Sequence, residues 1–573
     1  MSYTAPVTEQ RFVLETIADL PGLARLPQFA AATPDMVDAI LTEAAKLADN
    51  VFAPLNRLGD QQGASWTDGA VTLPTGFREA YRQYVDGGWG SLGADPAHGG
   101  QGLPFVLASA VQEQLTSANM AFSLCMMLTQ GAIEAVQAHG SDSQKAEYLT
   151  RMVSGEWTGT MNLTEPQAGS DVGALRSRAI AHGDGSYRIQ GSKIFITWGE
   201  HDVADNIIHL VLARLPEAPA GTKGISLFLV PKILPDGSRN DLKCASLEHK
   251  LGIHASPTCT MAFGDGGNCV GWIVGDEGAG MRAMFTMMNH ARINVGLQGV
   301  AIAERATQAA VGYARERVQS GKIIAHADVR RMLMTMRSTT EAVRALAYYN
   351  AAAVDRAHAG DSEARRLADL ITPVTKAFAT DMGVELASFG VQVFGGMGFI
   401  EETGAAQHLR DARIAPIYEG TNGIQAMDLV ARKLPQGAWK DLFADIRADL
   451  ALLPTSGDLG ALKPYLEDGL AALESATVWM VAHQGESQRE AAAGAAPFLR
   501  MFGIVIGGWL LARQALAASA GVEGYDPAFL KAKIVTARFF AEQIIPQAVA
   551  LLGPATRGSD LFYALDEAQF AAT

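Results

Sequence analysis

Tyr418-Glu419-Gly420-Thr421-Asn422-Gly423-Ile424-Gln425 sets a carboxylate directly before a Gly-Thr-Asn-Gly turn, on the threshold of the apolar run Ala426-Met427-Asp428-Leu429-Val430. Glycine lets the backbone or ring of another molecule come close. A helix start carries unpaired N–H donors and the positive end of the helix dipole. A carboxylate beside free donors is equipped to act on a ligand held in a cleft. The same residues also form a plain helix start, with Asn422 as N-cap and Gln425 as its capping-box partner.

Two other stretches carry polar groups in irregular backbone. Met161-Asn162-Leu163-Thr164-Glu165-Pro166-Gln167-Ala168-Gly169-Ser170-Asp171 presents hydroxyls and N–H groups around Pro166 and Gly169. Glu165, placed before a proline, reads as a structural acceptor. Phe389 to Phe399 interleaves Gly395, Gly396 and Gly398 with aromatics, which suits a flat or phosphate-bearing ligand. Met120 to Leu128 is a methionine-rich apolar run. It suits a buried core helix, and such a wall can also line a pocket for a flexible acyl chain. His249 and His254 have no carboxylate or cysteine cluster beside them, so no metal site is expected. Neither a G-x-S-x-G elbow nor a P-loop occurs.

Elements must position these stretches, and 573 residues are too many for one ordinary core. Residues 1–155 have helical spacing, with Thr33-Pro34 as a cap and N1 proline before Asp35 to Ala45. Residues 156–277 turn β-rich: Ser186 to Ile189, Lys193 to Trp198, Asn206 to Ala213 and Gly224 to Val230 read as strands of an antiparallel sheet or barrel. Residues 278–440 return to helix. There Arg292, Gly296, Gly299 and Ala303 share a small-residue face that suits close packing in a bundle. Residues 441–573 form a further helical segment.

The net charge of -14 disfavours nucleic acid and anionic membrane surfaces as partners. Four scattered cysteines without a C-x-x-C pair suit reduced thiols, and the first ten residues lack the features of a signal peptide. A cytoplasmic location is expected. The apolar run Met501 to Ala512 is shorter than the roughly 20 residues that cross a bilayer, so a buried helix is expected there.

Taken in order, four motifs resemble those of the acyl-CoA dehydrogenase family. Thr164-Glu165-Pro166-Gln167-Ala168-Gly169-Ser170-Asp171 is similar to its T-E-P-x-A-G-S-D loop, and Lys193 to Thr197 to its K-x-[WF]-I-T strand. Gln392 to Phe399 is similar to its Q-x-[LF]-G-G-x-G-[YF], and Tyr418 to Thr421 to its Y-E-G-T. The likeness spans roughly residues 40–435. The version Y-E-G-T-N-G-I-Q-A, with a helical segment after 440, looks most like the 3-methylmercaptopropionyl-CoA dehydrogenase branch. The pattern departs at Gln319 to Lys322 and at Ala327, where a flavin-binding glutamine is common.

The resemblance implies a mainly α fold with an N-terminal α domain, a middle β-barrel or sheet domain, a C-terminal four-helix bundle and an additional α-helical domain. FAD would lie between the β domain and the bundle. Met161, Leu163 and Thr164 would meet the flavin, with Phe195 and Thr197 flanking its ring. Arg317, Gln392 and Gly396 would reach the FAD of a second subunit, implying a homo-oligomer, with a dimer favoured. Thr421 and Gly423 would meet its pyrophosphate and adenosine. Ser170, Asn289, Arg292 and Gly420 would serve the acyl-CoA substrate. Glu419 would abstract the α-proton while FAD accepts the β-hydride, because side chains cannot. The Glu419 N–H would polarise the thioester carbonyl, and electrons would pass to an electron-transfer flavoprotein. An acyl-CoA oxidase shares this base and cofactor. A DNA-associated relative of the alkylation-response type shares the fold but needs a basic face. The acyl chain is left open, since a short methylthio-acyl group, a medium straight chain and a ring-bearing acid would all need the same base and flavin.

Overall fold

A computed structural model describes residues 3–484 and 488–571, with the side chains of Asn289 and Gln488 outside the description. The N-terminal domain is helical, as its spacing predicts. Helix Pro34–Leu47 starts with the Thr33 side chain accepting from the Met36 N–H and with proline in its first turn. A short hairpin, β1 (Ser65–Thr67) and β2 (Ala70–Thr72), was not expected. Its Trp66 indole donates to the Cys244 carbonyl at 3.0 Å, so the hairpin leans on the next domain. Helix Met120–His139 is buried along most of its length.

Eight strands form the middle domain: β3 (Trp157–Asn162), β4 (Arg178–Ala181), β5 (Tyr187–Thr197), β6 (Asn206–Arg214), β7 (Ile225–Pro231), β8 (Leu242–Leu247), β9 (Thr258–Phe263) and β10 (Val270–Val274). The order runs β10-β7-β6-β4-β5-β9-β8, and β10 also pairs with β5, so five strands close into a ring. Pairing is antiparallel except that β3 and β4 run parallel to β6. Residues 186–189 and 193–198, read as two strands, form the single strand β5. Its register shifts between Lys193 and Ile196, where Phe195 is left-handed at φ 60°. A bulge of this kind re-aims side chains without ending the strand. All of β7 is buried, as is β6 up to Arg214, which explains their continuous apolar runs.

Three long helices, Gly280–Glu316, Ala327–His358 and Ser362–Phe394, make the bundle. The broken pair Ala405–Ala412 and Asn422–Asp428 completes it. The small-residue face does what its spacing suggests. A Cβ on Gly299 would lie 2.1 Å from the Ala379 carbonyl oxygen, and one on Gly296 would lie 3.0 Å from the Thr375 oxygen. The first and third long helices therefore touch backbone to backbone. In the last segment, helix Gln488–Ala520 is long and apolar enough to span a membrane by composition, yet 83% of its most apolar window is buried. Its Gly503 abuts the Phe378 ring of the third long helix.

Candidate active site

Glu419 lies in the loop between Ala405–Ala412 and Asn422–Asp428. It is left-handed at φ 55°, and Gly420 follows at φ 80°. The turn is held from several sides. The Gln425 side-chain amide, fully buried, donates to the Glu419 and Gly420 carbonyls at 3.2 and 3.1 Å. Thr421, not Asn422, caps the helix, its hydroxyl accepting from the Ile424 N–H at 3.3 Å. Asn422 turns inward and donates to Ala377 O, Thr380 Oγ1 and Asp381 Oδ1 at 3.1, 3.0 and 2.7 Å. The expected capping box gives way because both its members are taken up by the turn and the third long helix. Among the described residues, nothing accepts from the Glu419 backbone N–H.

The Glu419 side chain keeps some contact with solvent, but the protein around it pushes its pKa up to about 7 through burial, against the pull of Lys376 and Arg292. Arg292, on the first long helix, is 5% exposed and donates to Asp428 at 3.1 Å. Asp428 accepts from Arg432 at 2.6 Å as well. The Tyr418 hydroxyl donates to Gln298, whose amide reaches the Met127 sulfur at 3.5 Å. Of the run Met120 to Leu128, Met127 lines a cavity of about 690 Å³ between the N-terminal domain and the first two long helices. The other residues of that run are packed in the core.

The loop expected to meet a flavin is built on β3 and β5. Ile194 N–H donates to Thr164 O at 2.9 Å, which sets Leu163 and Thr164 beside Phe195. Lys193, fully buried, donates to Leu163 O at 3.0 Å and to Glu165 at 2.8 Å. Burial pushes the Glu165 carboxyl up, but Lys193 with hydrogen bonds from Ser177 and the Arg176 N–H holds it at about 2. Glu165 is thus the structural acceptor its setting suggested. Met161, Leu163, Thr164 and Thr197 are half-buried, and Phe195 is 58% exposed. Apolar side chains beside hydroxyls on one rim suit a flat heterocycle with a hydrogen-bonding edge, as an isoalloxazine has.

The remaining expected residues fall in two settings. Arg317, Gln392, Gly396, Thr421, Gly423 and Ser170 are exposed. Space around Gly396 is open, with no atom within 4 Å of a built Cβ. Arg292 instead faces Glu419 and Asp428 from inside the fold. The Asn289 side chain lies outside the described residues. Reading the sequence missed Lys376, Gln298 and Asp428. The first had a signal: it is the only charge in Leu370 to Thr380.

Matches to family models follow the same divisions. They are "Acyl-CoA dehydrogenase, N-terminal domain" at residues 37–156, "middle domain" at 160–265 and "C-terminal domain" at 278–434, with "Acetyl-CoA dehydrogenase C-terminal like" at 442–566. The chain belongs to the acyl-CoA dehydrogenase family, whose members are oxidoreductases. It is 46% identical to a 3-methylmercaptopropionyl-CoA dehydrogenase of Ruegeria pomeroyi, over 96% of this chain and 97% of that one. It is 36% identical to a butyryl-CoA dehydrogenase of Syntrophomonas wolfei, over 89% and 90%. Its fold matches an acyl-CoA dehydrogenase from Bacillus anthracis, solved in complex with FAD, with a TM-score of 0.77 at 20% identity, covering 92% and 90% of the two chains.

Proposed function

We propose that this chain oxidises a short acyl-CoA thioester to its trans-2-enoyl-CoA, with FAD as cofactor. The observation that carries this reading is Glu419: a carboxyl poised near neutrality by burial, on a turn whose own N–H is free among the described residues. An α-proton is only weakly acidic, so its removal needs a base of matched pKa and a donor for the carbonyl that gains charge. Glu419 supplies the first through its side chain and the second through its backbone. Gly420, left-handed at φ 80° and packed against the Gln425 amide, lets the chain turn directly after Glu419. When bound, FAD supplies the acceptor for the β-hydride. Met161, Leu163, Thr164, Phe195 and Thr197 would hold its ring, and Thr421 and Gly423 its pyrophosphate side.

A short chain is favoured by the substrates that the two relatives' names carry, and Ser170 and Arg292 stand on the CoA side of this reading. The exposure of Arg317, Gln392 and Gly396 supports a homodimer in which they reach the partner subunit's FAD. Electrons leave to an electron-transfer flavoprotein in the cytoplasm.

The test is anaerobic mixing of FAD-loaded protein with butyryl- and 3-methylmercaptopropionyl-CoA, following loss of flavin absorbance. Wild type is expected to bleach. Glu419→Gln is expected to keep fold and FAD and to bleach at least about 10³-fold more slowly. Near-normal bleaching in that variant would remove Glu419 from the role. In a parallel assay in air, hydrogen peroxide formed from dioxygen without another added acceptor would mark an oxidase instead.

A further inference from the structure

Lys376 lies in the middle of the third long helix and is fully buried. Its ammonium donates to the Gly420 carbonyl at 3.0 Å and to Asn422 Oδ1 at 2.9 Å, both neutral acceptors of the turn that carries Glu419. Among the described residues, no carboxylate lies within salt-bridge distance of it. A buried ammonium is costly unless an opposite charge faces it. Holding a carbonyl and an amide oxygen could be done by a neutral donor, so the charge itself calls for an explanation.

The groups around Glu419 supply one. From the first long helix Arg292 faces it, but that guanidinium is already paired with Asp428, which Arg432 of the same segment also contacts. From its own segment, Tyr418 turns its hydroxyl to Gln298. From the third long helix come Lys376 and Asp381, and Asp381 accepts from Asn422. Lys376 is the one cation of this set, among the described residues, without a carboxylate of its own. Its surroundings are charged by Glu419 and Asp381.

We infer that Lys376 is a positioning residue for the proton-abstracting step: it fixes the Glu419-Gly420-Asn422 turn through two hydrogen bonds and, by its charge, keeps Glu419 in the carboxylate form that can accept the α-proton. The inference rests on the reading of Glu419 as the base. After the proton arrives, Glu419 is neutral and its attraction to Lys376 is lost, so the charge acts on the state before transfer. Burial draws Lys376 down to about 7, against the pull of Glu419 and Asp381, which agrees with a lysine whose charge depends on its neighbours.

The test follows anaerobic flavin bleaching by butyryl-CoA from pH 5.5 to 9.5 in wild type, Lys376→Met, Lys376→Gln and Lys376→Arg, each loaded with FAD. An opposite charge at close range moves a carboxyl pKa by about 1–3 units. Met and Gln are therefore expected to raise the midpoint of the rise in rate by about one to two pH units. Bleaching at pH 6.5 should fall about 10- to 100-fold and come within about threefold of wild type above pH 9. Arg should keep the wild-type midpoint. Gln retains a donor for the turn, so it decides the matter should Met not fold. An unmoved midpoint in a folded, FAD-loaded Met or Gln variant, or an equal loss at every pH, would overturn the inference. Glu419→Gln separates the two readings: if it bleaches normally the base assignment fails, whereas its inactivity beside an unmoved Lys376 profile removes the Lys376 role alone.

Discussion

Glu419 occupies a left-handed backbone conformation that costs a non-glycine residue about 1–3 kcal/mol. The surrounding bonds from Gln425, Asn422 and Lys376 make that conformation stable, and it leaves the residue's own N–H unclaimed among the described residues. Because burial raises the carboxyl to about 7, the proposed base is mostly protonated at pH 6. Flavin reduction in wild type is expected to rise about tenfold per pH unit below that value and to level off above it; a flat profile between pH 5.5 and 8 would contradict the assignment. The sign for stability is the opposite. A carboxyl raised on folding favours the folded state in acid, and this contribution is lost as pH rises through about 7. Glu165, held at about 2, stabilises above the ordinary carboxyl range and loses that effect as pH falls through about 2. Glu419 stands out in the sequence as a carboxylate before glycine at a helix start, a local pattern, while its proposed role as base comes from the resemblance of Tyr418 to Thr421 to the family's Y-E-G-T. Lys376 was not legible as a partner, because it meets Gly420 across 44 residues of sequence.

At the scale of elements, the long helices decide the distance between Arg292 and Lys376. Gly296 and Gly299 let the first helix approach Thr375 and Ala379 on the third, within a turn of Lys376. Gly299→Ala would set a methyl against backbone that cannot step aside. It is expected to destabilise by about 1–3 kcal/mol and to slow flavin reduction by displacing Lys376. Thermal unfolding together with bleaching rates checks both, and a variant with unchanged melting and rate would show the approach to be unimportant. The small-residue face was visible as helical spacing. The bulge in β5 at Phe195 was not, since a bulge is defined by two residues opposing one on a partner strand, and that partner, β9, lies some 60 residues on.

Across the whole molecule, the last helical segment is bound into the same fold. Lys533 of helix Pro527–Gln543, fully buried, meets Glu9 near the N-terminus and Glu341 of the second long helix, each at 2.7 Å. Breaking a buried pair leaves an uncompensated charge and costs about 3–5 kcal/mol. Lys533→Met is expected near the lower end of that range, because Glu341 keeps Arg337 at 2.8 Å. Calorimetry should show a lower melting temperature, or a separate early transition of the last segment. Unchanged melting would mean that the contact carries no net stability.

Local order along the chain determined the sequence of helical, β and helical regions, the glycine-lined helix face and the carboxylate at its turn, since spacing and glycine act within a few residues. Tertiary structure alone decided which charges meet. Arg292 pairs with Asp428 across 136 residues, and Lys376 is buried against Glu419's turn. Charge compensation depends on distance through space, and a sequence records only distance along the chain.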